Sequence, residues 1–153
     1  MTGSIMFPGA ASGPVLVLDR GLSFWGGVDP KTGEILDVRH PQCGKSVAGS
    51  ILAIAEPIGS SSSSAVLLEL IAAGTAPAAI VLGRADAILV VGCLAARELD
   101  YDCPPIIVDR LPDWATSGGL VMLDATGPEI KVKQSVAGST VPVGEDVSKK
   151  VAR

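Results

Sequence analysis

Ile51-Leu52-Ala53-Ile54-Ala55-Glu56-Pro57-Ile58-Gly59-Ser60-Ser61-Ser62-Ser63-Ser64-Ala65-Val66-Leu67-Leu68-Glu69 joins an apolar run to a glycine turn, five consecutive serines and the opening of a helical pattern. A strand that ends in a glycine turn and opens a helix leaves backbone N–H groups unpaired at the positive end of the helix dipole. Such an end binds anions. Serine suits the place twice, because its hydroxyl caps orphan N–H groups and also serves as a proton donor, acceptor or nucleophile. The stretch taken alone is also satisfied by a well-capped helix after a flexible loop, or by a short serine-rich linker, since caps are far commoner than catalytic serines.

Working outward, Val47 to Ala55 reads as the strand that feeds the serines. Ala65 to Ala73 carries Val66, Leu67, Leu70 and Ile71 on one helical face, with Glu69 turned to solvent and Gly74 as a C-terminal cap. Ala78 to Leu82 is a second buried strand, Ile88 to Leu99 a second helix with Arg97, Glu98 and Asp100 near its exit, and Pro105 to Val108 a third strand. Strand, helix, strand, helix, strand in that order is the pattern of crossover units in a sheet with parallel pairs. The fold class is therefore α/β.

The flanks are richer in β signals. Gly13 to Leu18 reads as a buried strand opened by a Gly-Pro break, Lys31-Thr32-Gly33-Glu34 as a turn and Ile35 to Val38 as a possible strand. Gly119 to Asp124 and Ile130 to Val132 read as a hairpin-like element, and the polar tail from Gly138 to Arg153 as loose chain. No internal repeat and no linker divides residues 1–153, so one domain is expected.

Composition narrows the function classes. The 153 residues are 48% hydrophobic but only 3% aromatic, so the interior is built from Ala, Val, Ile and Leu, as in a layered α/β core. Net charge is −4 and the basic residues are scattered, which removes the electrostatic footprint of nucleic-acid binding. Cys43, Cys93 and Cys103 are too few and too widely spaced for a zinc motif, and their odd number argues against a secreted disulfide framework. The longest apolar run, near Ile88 to Ala96, is broken by Gly92 and too short to span a bilayer, and no basic segment followed by an apolar one opens the chain. A cytoplasmic protein without membrane attachment is expected.

Two loops bear on function. Leu22-Ser23-Phe24-Trp25-Gly26-Gly27-Val28-Asp29-Pro30 sets an aromatic pair beside two glycines; the aromatics either plug the edge of the core or face a ligand or partner subunit. Arg39-His40-Pro41-Gln42-Cys43-Gly44-Lys45-Ser46 is polar. Its Gly44-Lys45-Ser46 is not a phosphate loop, because that motif needs a glycine where this chain has Arg39. His40 is the only histidine; a Ser-His-Asp triad would have to use it, and nothing in the sequence brings it to Ser60.

Leu22 to Pro30, then His40-Pro41, Ser46-Val47-Ala48-Gly49, and Gly59 to Ser64 followed by Val66-Leu67-Leu68-Glu69, together resemble the small subunit of the aconitase X family, the counterpart of the swivel domain of aconitase-like hydro-lyases. The likeness runs from about Gly13 to Val108 with its motifs in order. It implies a swivelling β/β/α domain that closes over a larger partner subunit. In the family the large subunit holds an iron-sulfur cluster through its own cysteines and the small subunit supplies a serine base. On this chain Ser60, directly after Gly59, matches that proton acceptor. Ser61 and Ser62 would sit beside it as contacts for a substrate carboxylate or phosphate, while Ser63 and Ser64 suit helix capping.

The chain by itself is then expected to bind no metal and to act as a dehydratase only with the large subunit. A hydroxy acid loses water when a base removes a proton and a Lewis acid helps the hydroxyl leave. A serine is a poor base unless its alkoxide is stabilised, which a helix N-terminus and cations from the partner would do. One family branch dehydrates cis-3-hydroxy-L-proline in bacterial amino-acid catabolism, the other mevalonate 5-phosphate in archaeal isoprenoid synthesis; the Ala- and Gly-rich composition favours the first. Glu56-Pro57-Ile58-Gly59 stands where an Arg-Gly pair is usual, which also leaves open a non-catalytic swivel module that holds a small anion.

Overall fold

The computed structural model describes residues 3–135; the polar tail from Gly138 onward lies outside them. The strands are β1 (Ser4–Phe7), β2 (Ala10–Leu18), β3 (Ile51–Ile54), β4 (Ala79–Leu82), β5 (Ile106–Val108), β6 (Leu120–Asp124) and β7 (Lys131–Ser135). The helices are α1 (Phe24–Gly27), a single distorted turn, α2 (Ser63–Ala73) and α3 (Ala87–Glu98). All seven strands form one sheet in the order β1-β5-β4-β3-β2-β6-β7.

β3 and β4 are buried on both faces, as strands at the centre of a parallel sheet must be, and their sequences are accordingly continuous apolar runs. Alternation sends their side chains into two cores. Leu52, Ile54, Ile80, Leu82 and Ile106 meet α2 and α3 through Leu67, Leu70, Leu89, Cys93 and Ala96. Ile51, Ala53, Val81 and Ile107 face the other way and are covered by Val121, Leu123, Ala125 and Ile130. The sheet thus curls so that β6 roofs its second face, a β/β/α layering. The single α/β domain with a swivel-like arrangement expected from the sequence is what the chain adopts.

The curl depends on β2. Its first half, Ala10 to Pro14, pairs antiparallel with β6, and its second half, Val15 to Leu18, pairs parallel with β3. Pro14, which has no N–H to donate, stands where the strand changes partners. The Gly-Pro pair therefore lies inside a longer strand instead of opening one. The weakly apolar segments Ser4–Phe7 and Ala10–Ser12 gave no sequence signal of their own.

Two further expectations need correction. Ile35 to Val38 is not a strand: Ile35 makes a one-residue bridge to Val28, and its N–H donates to Lys45. The strand before the serines begins at Ile51 and not Val47, because Gly49 takes a φ of 67° and Ser50 folds back onto Val47, its Oγ donating to that carbonyl at 2.7 Å.

Candidate functional site

Strands β2, β3, β4 and β5 run in parallel, and their registers align Leu18, Ile54, Leu82 and Val108 in one row. The loops that follow leave from one rim, the edge outside the carboxyl ends of the strands where open α/β sheets bind ligands. Those loops carry Asp19 to Trp25, Ala55 to Ser62, Gly83 to Asp86, and Asp109 onward. The first two approach closely: a Cβ on Gly21 would lie 2.5 Å from the Glu56 carbonyl oxygen.

Within the serine run the five hydroxyls have different fates. Ser63 is buried, and its Oγ accepts the Trp25 N–H at 3.3 Å. The Ser64 hydroxyl donates to the Ser61 carbonyl at 3.2 Å. Ser62 is the N-cap of α2 but its side chain makes no capping bond. Ser63 and Ser64 are therefore not helix caps. They lie one and two positions past the N-cap Ser62, with the Ser63 hydroxyl bonded to the Trp25 N–H and the Ser64 hydroxyl to the Ser61 carbonyl. Ser60 and Ser62 are partly buried and Ser61 is exposed, and among the described residues none of their three hydroxyls has a hydrogen-bond partner.

The backbone around them is equally open. The Ser63 N–H donates to the Ser60 carbonyl at 3.0 Å, which tightens the turn, while the N–H groups of Gly59, Ser60, Ser61 and Ser62 donate to no group among the described residues. Unpaired donors and free hydroxyls thus share the positive end of α2.

His40 is excluded from this chemistry by its bonds. It is buried, its Nδ1 accepts the Gln42 N–H at 3.1 Å, and its Nε2 is 3.1 Å from the Arg20 carbonyl. One ring nitrogen accepts and the other must donate, so the imidazole has no lone pair to spare and serves to order the loop. Gln42 continues the same knot: its Oε1 accepts from the Asp19 N–H and its Nε2 donates to the Asp19 carboxylate at 2.7 Å.

Sequence reasoning missed one charged group at this rim. Arg84, in the β4–α3 loop, donates through Nη2 to the Pro57 carbonyl at 3.0 Å and through Nε to Glu56 at 3.4 Å. It braces the segment that leads to Gly59. Its only signal in the sequence is its position just after a strand, which many surface arginines share.

Of the aromatic pair, Phe24 is in the core and Trp25 is exposed. Cys93 is buried, Cys103 donates to the Cys93 carbonyl, and Cys43 is exposed, so the three thiols do not gather. Burial, with the nearby Cys103, pushes the Cys93 thiol up to about 12, which keeps it protonated at neutral pH. Among the described residues no group of three or more His, Cys, Asp or Glu side chains is placed to hold a metal ion. Iron-sulfur ligation therefore does not fit this chain's own donors. Among the described residues no helix is long and apolar enough to cross a membrane.

A curled mixed sheet in this strand order, with free serines on its carboxyl rim and its imidazole tied up in a loop, is the arrangement of a swivel domain. The family model of the aconitase X swivel domain matches residues 1–139, and the chain belongs to that family. The cis-3-hydroxy-L-proline dehydratase of Pseudomonas aeruginosa is 52% identical over 91 residues, which are 60% of this chain and 16% of that protein. The phosphomevalonate dehydratase small subunit of Methanopyrus kandleri is 51% identical over 80 residues, 52% of this chain and 59% of that one. The chain thus spans about one sixth of the first relative and about three fifths of the second. The crystal structure of Thermococcus kodakaraensis aconitase X in its holo-form superposes with a TM-score of 0.74 at 32% identity, covering 86% of this chain and 95% of that one.

Proposed function

We propose that this chain is the small, swivel subunit of an aconitase X-type hydro-lyase and that Ser60 is the base that takes a proton from a hydroxy acid. The observation that carries the reading is the Ser60 hydroxyl itself, partly open and unpartnered on the carboxyl rim at the head of α2. Relatives named as dehydratases support the reaction class, and the name small subunit supports a large-subunit partner.

The roles on this chain follow from chemistry. Ser60 accepts the proton as its alkoxide, and the unpaired N–H groups of the Gly59–Ser62 turn with the α2 dipole lower the cost of that negative charge. Ser61 and Ser62 donate hydroxyl hydrogen bonds to the substrate's carboxylate or phosphate and orient it. Departure of the hydroxyl falls to the large subunit, where the family's iron-sulfur cluster would reside. Residues 1–153 act as one swivel domain in this reading.

The substrate proposed is cis-3-hydroxy-L-proline, supported by the 52% identity to the Pseudomonas enzyme. Mevalonate 5-phosphate is the second reading, supported by the 51% identity to the Methanopyrus subunit. The test is to combine the chain with its cluster-loaded large subunit and follow loss of each substrate side by side. Turnover of cis-3-hydroxy-L-proline that requires both chains is the expected result. Stable assembly with neither substrate consumed would leave the non-catalytic anion-binding module in its place.

A further inference from the structure

Beside the serine loop, four large apolar side chains stand in water around one open depression of about 470 Å³. Trp25 is 61% exposed, Leu36 46%, Val38 86% and Ile58 54%. They come from three loops far apart in sequence, yet the loops are fastened to one another. The Leu36 N–H donates to the Gly27 carbonyl at 2.9 Å and the Ile58 N–H to the Leu22 carbonyl at 3.3 Å, while the Trp25 N–H is held by Ser63. A concave apolar patch built on fastened loops marks a surface that another molecule covers, and an exposed tryptophan is the side chain most enriched at the centres of such contacts.

We propose that this collar of Trp25, Leu36, Val38 and Ile58 is the seat of the large subunit; the inference rests on the function proposed above. Two observations select that occupant. First, the matched region is 16% of the Pseudomonas dehydratase, so most of that protein lies outside this domain, and the Methanopyrus relative is named a small subunit. A domain of this family therefore has a larger body to cover it. Second, the rim is chemically incomplete: His40 is engaged with backbone groups, and the described residues gather no metal ligands. The missing groups must reach Ser60 across the rim, and Ile58, two residues before it, and Trp25, tied to Ser63, border that path. Of the other exposed large apolar side chains, Leu120 and Met122 are on β6, which pairs with the amino-terminal half of β2 and so lies away from this rim.

The experiment measures affinity of the purified large subunit, loaded with its cluster, for four forms of this chain: unaltered, Val38→Asp, Trp25→Ala and Met122→Asp. Circular dichroism and thermal midpoint establish that each form is folded, which exposed positions permit. The two collar substitutions are expected to weaken binding at least about tenfold and Met122→Asp to leave it within about twofold. Collar variants that bind as tightly as the unaltered chain would overturn the proposal, as would equal weakening by Met122→Asp. A parallel Ser60→Ala chain separates the two readings. If it binds and still turns over substrate while the collar variants fail to bind, the docking surface stands and the base assignment falls. Failure of the unaltered chain to bind would overturn both.

Discussion

The Ser63 side chain, buried in the first turn of α2, accepts the backbone N–H of Trp25 from 38 residues earlier at 3.3 Å. That bond joins the aromatic turn after β2 to the serine helix after β3. Ser63→Ala removes the acceptor and leaves the Trp25 N–H without its partner. A stability loss of about 1 kcal/mol in urea unfolding is expected, with faster hydrogen exchange at the Trp25 amide. Unchanged exchange there would mean that the turn holds itself.

Ser60 is the opposite case, since its hydroxyl supports nothing in the fold. Ser60→Ala should leave the unfolding free energy within about 0.5 kcal/mol and leave assembly with the large subunit intact. Turnover of the assembled enzyme should fall by about 10²–10⁴-fold, the range for loss of a positioned base. Near-normal turnover would remove Ser60 from the mechanism.

Much of this was legible in the residues. The runs Ile51–Ile54 and Ala79–Leu82 are apolar without alternation, which only strands buried on both faces require, so the parallel centre could be read directly. Gly59 and five serines before Val66 and Leu67 located the loop. The edges were less readable. Ser4–Phe7 becomes a strand because β5 offers it an antiparallel partner, a long-range fact that no local pattern encodes. Ile35 resembles a strand residue because it is fully buried, but a loop carries it there. The inequality of the five serines was hidden too, because identical residues are separated only by where the turn and the helix point them.

The imidazole of His40 can be tested apart from the serines. Its removal takes away the acceptor of the buried Gln42 N–H and the partner of the Arg20 carbonyl. His40→Ala should cost about 2 kcal/mol of stability. Turnover by the assembled enzyme, measured below the lowered unfolding transition, should stay within about threefold. A loss as deep as that of Ser60→Ala in a protein of unchanged stability would restore a catalytic histidine.

Helix α3 crosses the head of α2 at Gly92, where a Cβ would stand 2.8 Å from the Ser64 carbonyl oxygen and 3.3 Å from Leu67 Cβ. Alanine is the better helix former by about 1 kcal/mol, but an overpacked core site costs about 1–3 kcal/mol. The near contact is backbone in the first turn of α2 and cannot rotate aside, so the clash wins. Gly92→Ala is expected to destabilise the chain by about 1–2 kcal/mol and, by shifting the turn that ends in Ser64, to lower turnover as well. A stabilised variant with full activity would show that the two helices part without disturbing the serines.

The buried thiol of Cys93 gives the chain an alkaline weakness whose sign follows from proton counting. Burial, and then the neighbouring Cys103, raises the folded-state value to about 12 from an ordinary 9.0. Between those values the unfolded chain has lost the Cys93 proton and the folded chain keeps it. The folded state therefore binds more protons, and stability falls as pH rises, approaching about 1.4 kcal/mol per pH unit from this group in that window. Below about pH 9 both states hold the proton and the slope from Cys93 vanishes. Cys103, raised in the same direction by burial with Arg97 opposing, adds to the decline. Urea unfolding at pH 8.0 and pH 10 should show a steeper loss for the unaltered chain than for Cys93→Ala, whatever the cost of that substitution at pH 8.0. Parallel declines in the two proteins would mean that the Cys93 thiol reaches water before the fold gives way.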